Sequence, residues 1–543
     1  MTRPWWKDAV CYQIYPRSFN DSDGDGVGDL PGITAKADYL ADLGVDAVWL
    51  SPIYPSPQAD HGYDVADYRD IHEEYGTLED FDALRETLAE RDIRLLMDLV
   101  VNHTSDEHEW FERSRRGEEP YDEFYYWRES EDGPPNNWES TFGGSAWTYD
   151  EVREAYYLHL FDSKQPDLNW RNPLVREAVQ EICQFWLERG VDGFRMDVIN
   201  LISKTEGLPD GVPNDFQIGV EHVWDGPHLD AYLEELHEAV LDDPAIVTVG
   251  EMPGINAGRA RELVGEDGPL SMVIGFDHVV LDWGPGGRWD PTDVNPGSFK
   301  RALLTWQEHM ATEGWVCAYL ENHDQPRSVS RFGDDEDYHH ESATMLATLL
   351  LTLRGTPFVY QGQEIGMTNA QFPDPSALED VETLRFLEED DRPYEVVRPA
   401  IEAQSRDNAR TPMQWSAGHQ AGFTTGEPWL PVTDNHDVLN VAEAVDTEGS
   451  IWRYYRSLIE LRSRSSALRR GSLQVIEEVP DAVFAYRRDH EGESIHIWCN
   501  LTGERVELPS EFPTDRERLT GNYIDEPDGT RATLRPYEAV VWW

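Results

Sequence analysis

Over the first hundred residues, short apolar runs alternate with stretches whose apolar positions recur every three to four residues. Residues 9–15 and 47–50 read as strands, and 33–43 and 78–90 as helices with one apolar face. Residues 93–101 are apolar at both parities, as a parallel strand without a solvated face requires. The rhythm stops at Asn102. From there to Trp170 the chain is rich in Trp, Tyr, Gly and Pro, with no regular period before 156–161. It resumes with a helix over 173–189 and strands near 193–196, 246–250, 272–276, 316–320 and 358–360. Eight strands alternating with helices predict the α/β class and a closed (β/α)8 TIM barrel formed by residues 1–102 and 171–464. Residues 103–170 are then an inserted lobe after strand 3, and a helix-rich insert over 374–406 follows the eighth strand. Beyond a helix at 451–464 the pattern changes to period 2 at 473–478, 483–487, 494–500 and 538–542. This predicts a C-terminal antiparallel β domain, a β-sandwich over 465–543.

Charge alters the picture. The 543-residue chain carries 105 acidic residues against 45 basic ones, a net charge of −60, and only five of the cations are lysines. Such a charge with low hydropathy is also the signature of disorder. Here 20 Trp, 23 Tyr and 18 Phe supply a large core, which argues for a folded acidic protein. Nucleic acid and anionic membranes are excluded as partners, because phosphate would be repelled at every approach. The self-repulsion predicts a halophilic origin, since screening lengths shrink to about 3 Å in molar salt. Cys11, Cys183, Cys317 and Cys499 are scattered without a CxxC pair, which points to a reducing compartment. With no apolar leader and no 18-residue apolar stretch, a cytoplasmic enzyme is expected.

In such a barrel, catalytic groups cluster just past the strand C-termini. Acidic residues stand there repeatedly: Asp98 in strand 3, Asp197 ending strand 4, Glu251 ending strand 5 and Asp324 after strand 7. His61, His103 and His323 are interleaved, and Arg195 lies two residues before Asp197. In a strand that spacing puts both side chains on one side, so Arg195 is expected to hold Asp197 ionised. One ionised carboxylate and one protonated carboxyl make a glycosidase pair.

The segments that carry this chemistry resemble the α-amylase superfamily, family 13 of the glycoside hydrolases, and within it the oligo-1,6-glucosidase and α-glucosidase branch. They are Asp98-Leu-Val-Val-Asn-His, Gln165-Pro-Asp-Leu-Asn, Gly193-Phe-Arg-Met-Asp-Val-Ile-Asn, Gly250-Glu-Met, Glu321-Asn-His-Asp-Gln-Pro-Arg and Arg406-Asp-Asn-Ala-Arg-Thr-Pro-Met-Gln-Trp. They occur in family order and span nearly the whole chain. The resemblance implies a retaining, exo-acting α-glucosidase that cleaves α-1,4 or α-1,6 bonds of short oligosaccharides such as maltose, isomaltose and sucrose, with no organic cofactor. Asp197 matches the nucleophile, Glu251 the acid/base and Asp324 the transition-state stabiliser. Asp60, Tyr63, His103, Arg195, His323 and Arg410 match groups around the first sugar, and Phe142, Phe161 and Gln165 contacts from the inserted lobe. Val198, directly after the nucleophile, goes with acceptance of α-1,6 links. The aromatics Trp138, Trp147, Tyr149 and Trp170 are expected to build the lobe's core.

A second motif, Asp21-Ser-Asp-Gly-Asp-Gly-Val-Gly-Asp29, offers carboxylates from Asp21, Asp23, Asp25 and Asp29 and a carbonyl from Val27. It starts like a hard-cation loop, but Gly32 stands where an EF-hand needs Glu. It matches the structural Ca²⁺ or Mg²⁺ loop of this branch. Two rival readings use the same scaffold. One is a transglycosylase or isomerase forming sucrose isomers or trehalose, against which the loop Arg327-Ser-Val-Ser-Arg-Phe-Gly resembles the hydrolase version. The other is a non-catalytic heavy subunit of a membrane transporter, which would have an N-terminal membrane helix and a broken carboxylate set. Trehalose-phosphate hydrolysis is disfavoured because lysine is scarce and no basic cluster awaits a phosphate.

Overall fold

The computed structural model describes residues 3–214, 217–265, 268–508, 517–523 and 533–543. Eight parallel strands form the central sheet: β1 (Cys11–Ile14), β2 (Ala47–Leu50), β3 (Arg94–Val100), β4 (Gly193–Asp197), β5 (Val247–Glu251), β6 (Met272–Ile274), β7 (Cys317–Ala318) and β8 (Thr356–Tyr360). They pair in the order β7-β8-β1-β2-β3-β4-β5-β6. A parallel bridge between Val273 and Val316 joins the two ends and closes the barrel.

The alternation of side chains explains both cores. One parity packs inside the barrel: Cys11, Ala47 and Trp49, Leu96, Val247 and Val249, Met272 and Ile274, Cys317 and Phe358. The other parity (Tyr12 and Ile14, Val48 and Leu50, Leu95, Met97 and Leu99, Phe194 and Met196) packs against the surrounding helices. The inward parity, continued toward the strand C-termini, runs through Gln13, Asp98, Arg195, Asp197 and Glu251. Hydrophobic packing below thus aims these polar groups into the barrel mouth.

The helices begin with the local signals expected of them. Thr77 and Asp80 form a capping box on Leu78–Ala89, and Asn172 caps Pro173–Glu188 with proline at its start. The helix expected over 33–43 is divided into Leu30–Ala35 and Ala37–Leu43 at Lys36, which leaves helical geometry at φ −103°, ψ 7°. The lobe after β3 holds a helix, Glu109–Arg115, and a three-stranded antiparallel sheet with Ala155–Leu158 between Trp127–Arg128 and Trp147–Asp150. Only the middle strand showed a sequence period, because the flanking strands, of two and four residues, are too short to repeat one. Trp138, Trp147 and Trp170 are buried and Tyr149 is exposed.

After β8, Val381–Glu389 and Tyr394–Gln404 make up the helix-rich insert. The C-terminal sheet contains β9 (Ser472–Val475), β10 (Val483–His490), β11 (Glu493–Asn500), β12 (Arg518–Gly521) and β13 (Ala539–Trp542), antiparallel in the order β9-β10-β11-β13-β12. A two-stranded pair, Val506–Glu507 with Thr533–Leu534, accompanies it. Strand β12 gave no period-2 signal. Among the described residues no helix is long and apolar enough to cross a membrane, and all four cysteines are buried free thiols.

Candidate active site

A cavity of about 790 Å³ opens at the C-terminal mouth of the barrel. Asp197 and Glu251 enter it from the ends of β4 and β5, and Asp324 from the loop after β7. Asp60, Tyr63 and His103 line it from the barrel loops, Phe142 and Phe161 from the lobe, and Val198 from the turn after β4. Gln165, Arg195, His323 and Arg410 stand behind this wall. Gln165 Nε2 donates to Asp60 (3.1 Å) and lies 3.2 Å from His103 Nε2. His61 is turned away, its Nε2 3.0 Å from the carbonyl of Glu379.

Arg195 is the hub. Its fully buried guanidinium donates from one terminal nitrogen to Asp98 (2.8 Å) and Asp197 (2.6 Å), and its other terminal nitrogen lies 2.5 Å from Glu251 Oε1. Trp49 and Tyr63 rings lie over it, and Asp98 is also bonded by Tyr63 Oη (3.0 Å) and Trp49 Nε1 (3.3 Å). Arg195 reaches Asp197 as expected, but the one cation is divided among three buried carboxyls. Burial pushes the Asp197 carboxyl up to about 7 despite Arg195, with Asp98 and Asp324 adding to the rise. Burial likewise raises Glu251 to about 7, opposed by Arg195 and reinforced by Asp197 and Asp324. Geometry separates the two. Arg195 makes an aligned hydrogen bond to Asp197, whereas its contact with Glu251 has no such alignment, and Glu251 Oε2 instead accepts the Val198 N–H at 3.2 Å.

Asp324 lies in the opposite regime. Burial alone would raise it, but His323, Arg406 and Arg410 outweigh burial and hold it well below the usual carboxylate range. Its Oδ1 accepts from Arg410 (2.8 Å) and Arg406 (3.3 Å), and its Oδ2 lies 3.0 Å from His323 Nε2. Burial keeps His323 neutral-leaning. Gln13 Nε2 faces His323 Nδ1 at 2.8 Å, so an amide donor there places the ring proton on Nε2, facing Asp324 and Tyr63 Oη.

Several wall residues carried no sequence signal of their own: Gln217, Trp224, Trp283, Arg288, Glu382 and Arg406. Arg406 lies in the same Arg406-Asp-Asn-Ala-Arg410 segment as Arg410 and joins Asp60 (3.2 Å), Asp324 and Asp380 (2.7 Å). Its presence in a quoted motif was the available clue. Arg288 lies in the strand Gly287–Pro291 and Glu382 in the first turn of the helix Val381–Glu389, and they pair at 2.5 Å, which spacing along the chain cannot reveal.

The lobe is tied to the barrel by a buried cation. Lys204 Nζ lies 2.6 Å from Asp167 and donates to Asn102 Oδ1 at 2.7 Å, with both charged side chains fully buried. In the acidic loop, carboxylate oxygens of Asp21, Asp23 and Asp29 lie within 4.8 Å of one another, so these three could hold a metal ion. Asp25 is not part of this cluster; its Oδ1 accepts the Val27 N–H at 2.8 Å, and the buried Val27 side chain packs in the core. The three clustered carboxylates present hard oxygens on a loop braced by hydrogen bonds from Gly24, Gly26, Ser22 and Gly32 N–H groups, a donor set suited to a hard divalent cation.

Comparison with known proteins agrees with this arrangement. The model of the α-amylase catalytic domain matches residues 13–471. The oligo-1,6-glucosidase of Halalkalibacterium halodurans is 49% identical, the match covering 100% of this chain and 99% of that protein. The trehalulose synthase of Pseudomonas mesoacidophila MX-45 superposes with a TM-score of 0.94 at 40% identity, over 100% of both chains. The trehalose-6-phosphate hydrolase of Bacillus licheniformis superposes with a TM-score of 0.93 at 43% identity, over 99% of each.

Proposed function

Because the chain belongs to the α-amylase family of glycoside hydrolases, within its oligo-1,6-glucosidase branch, we propose that it is a retaining, exo-acting α-glucosidase that hydrolyses short α-1,6- and α-1,4-linked oligosaccharides. The observation that carries this reading is the sharing of one guanidinium by Asp197 and Glu251 inside one cavity, with anionic Asp324 on the same wall. Two carboxyls against neighbouring nitrogens of one Arg are held at short range, and a retaining pair needs about 5–5.5 Å.

Asp197, with the aligned hydrogen bond, is the anion, and the proton of the pair resides on Glu251. Glu251 gives this proton to the glycosidic oxygen as Asp197 attacks the anomeric carbon, and the leaving sugar departs as an alcohol. Glu251, now ionised, takes a proton from water as that water displaces Asp197 from the glucosyl-enzyme. Asp324, kept charged by Arg406 and Arg410, accepts hydrogen bonds from sugar hydroxyls that strengthen as the ring flattens. Asp60, Arg406, His103 and Tyr63 close the pocket around the first sugar, with Phe142 and Phe161 against its apolar face.

The cations on the wall favour a neutral substrate. Arg288 is paired with Glu382, and Arg406 with Asp60, Asp324 and Asp380. Among the described residues no unpaired guanidinium lines this cavity to receive a phosphate, which separates it from the task named for the trehalose-6-phosphate hydrolase. Asp21, Asp23 and Asp29 would hold a structural Ca²⁺, or Mg²⁺, at a loop remote from the chemistry. A cytoplasmic setting is supported by the four buried free thiols.

Product analysis on maltose, isomaltose, sucrose and trehalose at molar salt tests the reading. Release of α-glucose from isomaltose is expected, falling by several orders of magnitude in a folded Asp197→Ala variant. Accumulation of sucrose isomers in place of free glucose would transfer the protein to the synthase reading.

A further inference from the structure

The catalytic cavity changes character along its length. Around Asp60, Tyr63 and His103 it is polar, whereas beyond Glu251 the wall is largely apolar, with Trp224 from the loop after β4, Ile255 after β5, and Phe276 and Val280 after β6. Glu251 marks the passage between the halves. It protonates the bond being broken, so the leaving group lies past it, on the side away from Asp197. The barrel order puts β6 on that side: Asp197 ends β4, Glu251 ends β5, and Glu251 is paired with Ile274 of β6. Three residues beyond Ile274 stands Asp277, an exposed carboxylate in this apolar half of the wall.

Asp277 is held from behind. Gly275 has no side chain, and a Cβ there would stand 2.0 Å from the Trp306 ring, so the backbone lies directly on the indole. Tyr319 Oη donates to the Gly275 carbonyl at 2.7 Å and fixes the same turn. The Trp306 indole N–H then reaches Asp277 Oδ2 at 2.6 Å. Among the described residues no other protein group bonds this carboxylate, which leaves Oδ1 open to the cavity.

The other side-chain acceptors of this half are engaged. Asn256 Oδ1 caps the helix Ala257–Val264, Gln325 Oε1 accepts from Arg331, and Gln217 Oε1 accepts from Thr141. Glu382 is bound to Arg288. The apolar wall packs the C–H face of a pyranose and the face of an aryl ring alike, so it does not discriminate between them. An ionised carboxylate does: a sugar offers it hydroxyl donors, while an aryl group takes water from it and returns nothing. We propose that Asp277 is a specificity-determining residue whose Oδ1 accepts hydrogen bonds from hydroxyls of the leaving sugar, so that the cavity selects α-glucosides of sugars over α-glucosides of phenols. The inference rests on the proposed glucosidase activity and adds to it which leaving group is chosen.

The test compares kcat/KM for isomaltose and for 4-nitrophenyl α-glucoside in the full chain. Both substrates pass through the same glucosyl-enzyme on Asp197, so the ratio of the two values reports on the leaving group. In Asp277→Ala the ratio of isomaltose to nitrophenyl glucoside should fall by about 10-fold or more. Asp277→Asn keeps an acceptor oxygen without the charge, and should lower the ratio by only about threefold. A purely structural Asp277 would depress both substrates together and leave the ratio where it was. An unchanged ratio in Asp277→Ala therefore overturns the proposal. Should that variant not fold, Asp277→Asn decides alone, and an unchanged ratio in it overturns the proposal equally. A wild type that turns over neither substrate sinks the glucosidase reading and this inference with it, whereas an active wild type with an insensitive ratio sinks this inference only.

Discussion

Glu251 is the residue at which burial and charge oppose each other most directly. Its carboxyl is raised to about 7, above an unfolded value near 4.3. The folded state therefore binds more protons between those two values, and stability falls as pH rises through that window. Glu251→Gln, which cannot ionise, should abolish turnover and yet gain stability relative to wild type. The gain should be near zero at pH 4 and grow to about 1–3 kcal/mol by pH 8, read from urea unfolding at each pH. Val198 makes a different demand. It is β-branched, and yet it adopts a left-handed φ of 35°, which directs its N–H at Glu251 while its side chain lines the cavity. Such strain is kept where the surroundings enforce it. Val198→Thr keeps the branching but adds a hydroxyl, and the ratio of isomaltose to maltose turnover should fall by about 10-fold or more. An unchanged ratio would leave Val198 with a backbone role only.

At the scale of elements, the lobe and the loops are held by ions placed where regular structure ends. Lys204, on the loop after β4, satisfies Asp167 of the lobe and Asn102 at the end of β3. Lys204→Met would leave Asp167 buried and unpaired, at a cost of about 3–5 kcal/mol. A comparable loss of melting temperature and activity should follow, because His103 and Gln165 flank this joint. The acidic loop after β1 predicts a milder dependence. A strong chelator should lower the melting temperature and release about one divalent ion per chain, leaving kcat/KM of the folded protein unchanged. Neither joint was readable as such in the chain. Asn102 and Asp167 stood in recognised segments, but the cation that pairs with Asp167 lies far along in an unpatterned loop. Asp25 was grouped with its neighbours on spacing, and in the fold it lies outside the cluster of Asp21, Asp23 and Asp29. The lobe's two flanking strands escaped detection because they are too short to repeat a pattern.

For the molecule as a whole, the −60 net charge is the dominant physical fact. Many of its arginines are paired in the structure, and the surplus of carboxylates repels itself across the surface. Stability should increase from low salt to molar NaCl as the repulsion is screened, measured as a rising urea midpoint. A flat or falling midpoint would remove the argument for salt adaptation. Closure of the barrel by the Val273–Val316 bridge matters at this scale too, since it brings carboxyls from β4, β5 and the loop after β7 around one mouth.

By itself the sequence determined the strand-helix alternation, the placing of Arg195 and Asp197 on one side of their strand, and the acidic surface. Each is a local property, set by side-chain period and charge count. Tertiary structure alone decided that Arg195 is divided among three carboxyls and that Gln165, His323 and Arg410 brace the pocket wall from behind. It also decided that Arg288, Glu382 and Arg406 complete that wall. These depend on which distant loops converge and on how far burial outweighs a nearby cation, quantities that exist only once the chain has closed on itself.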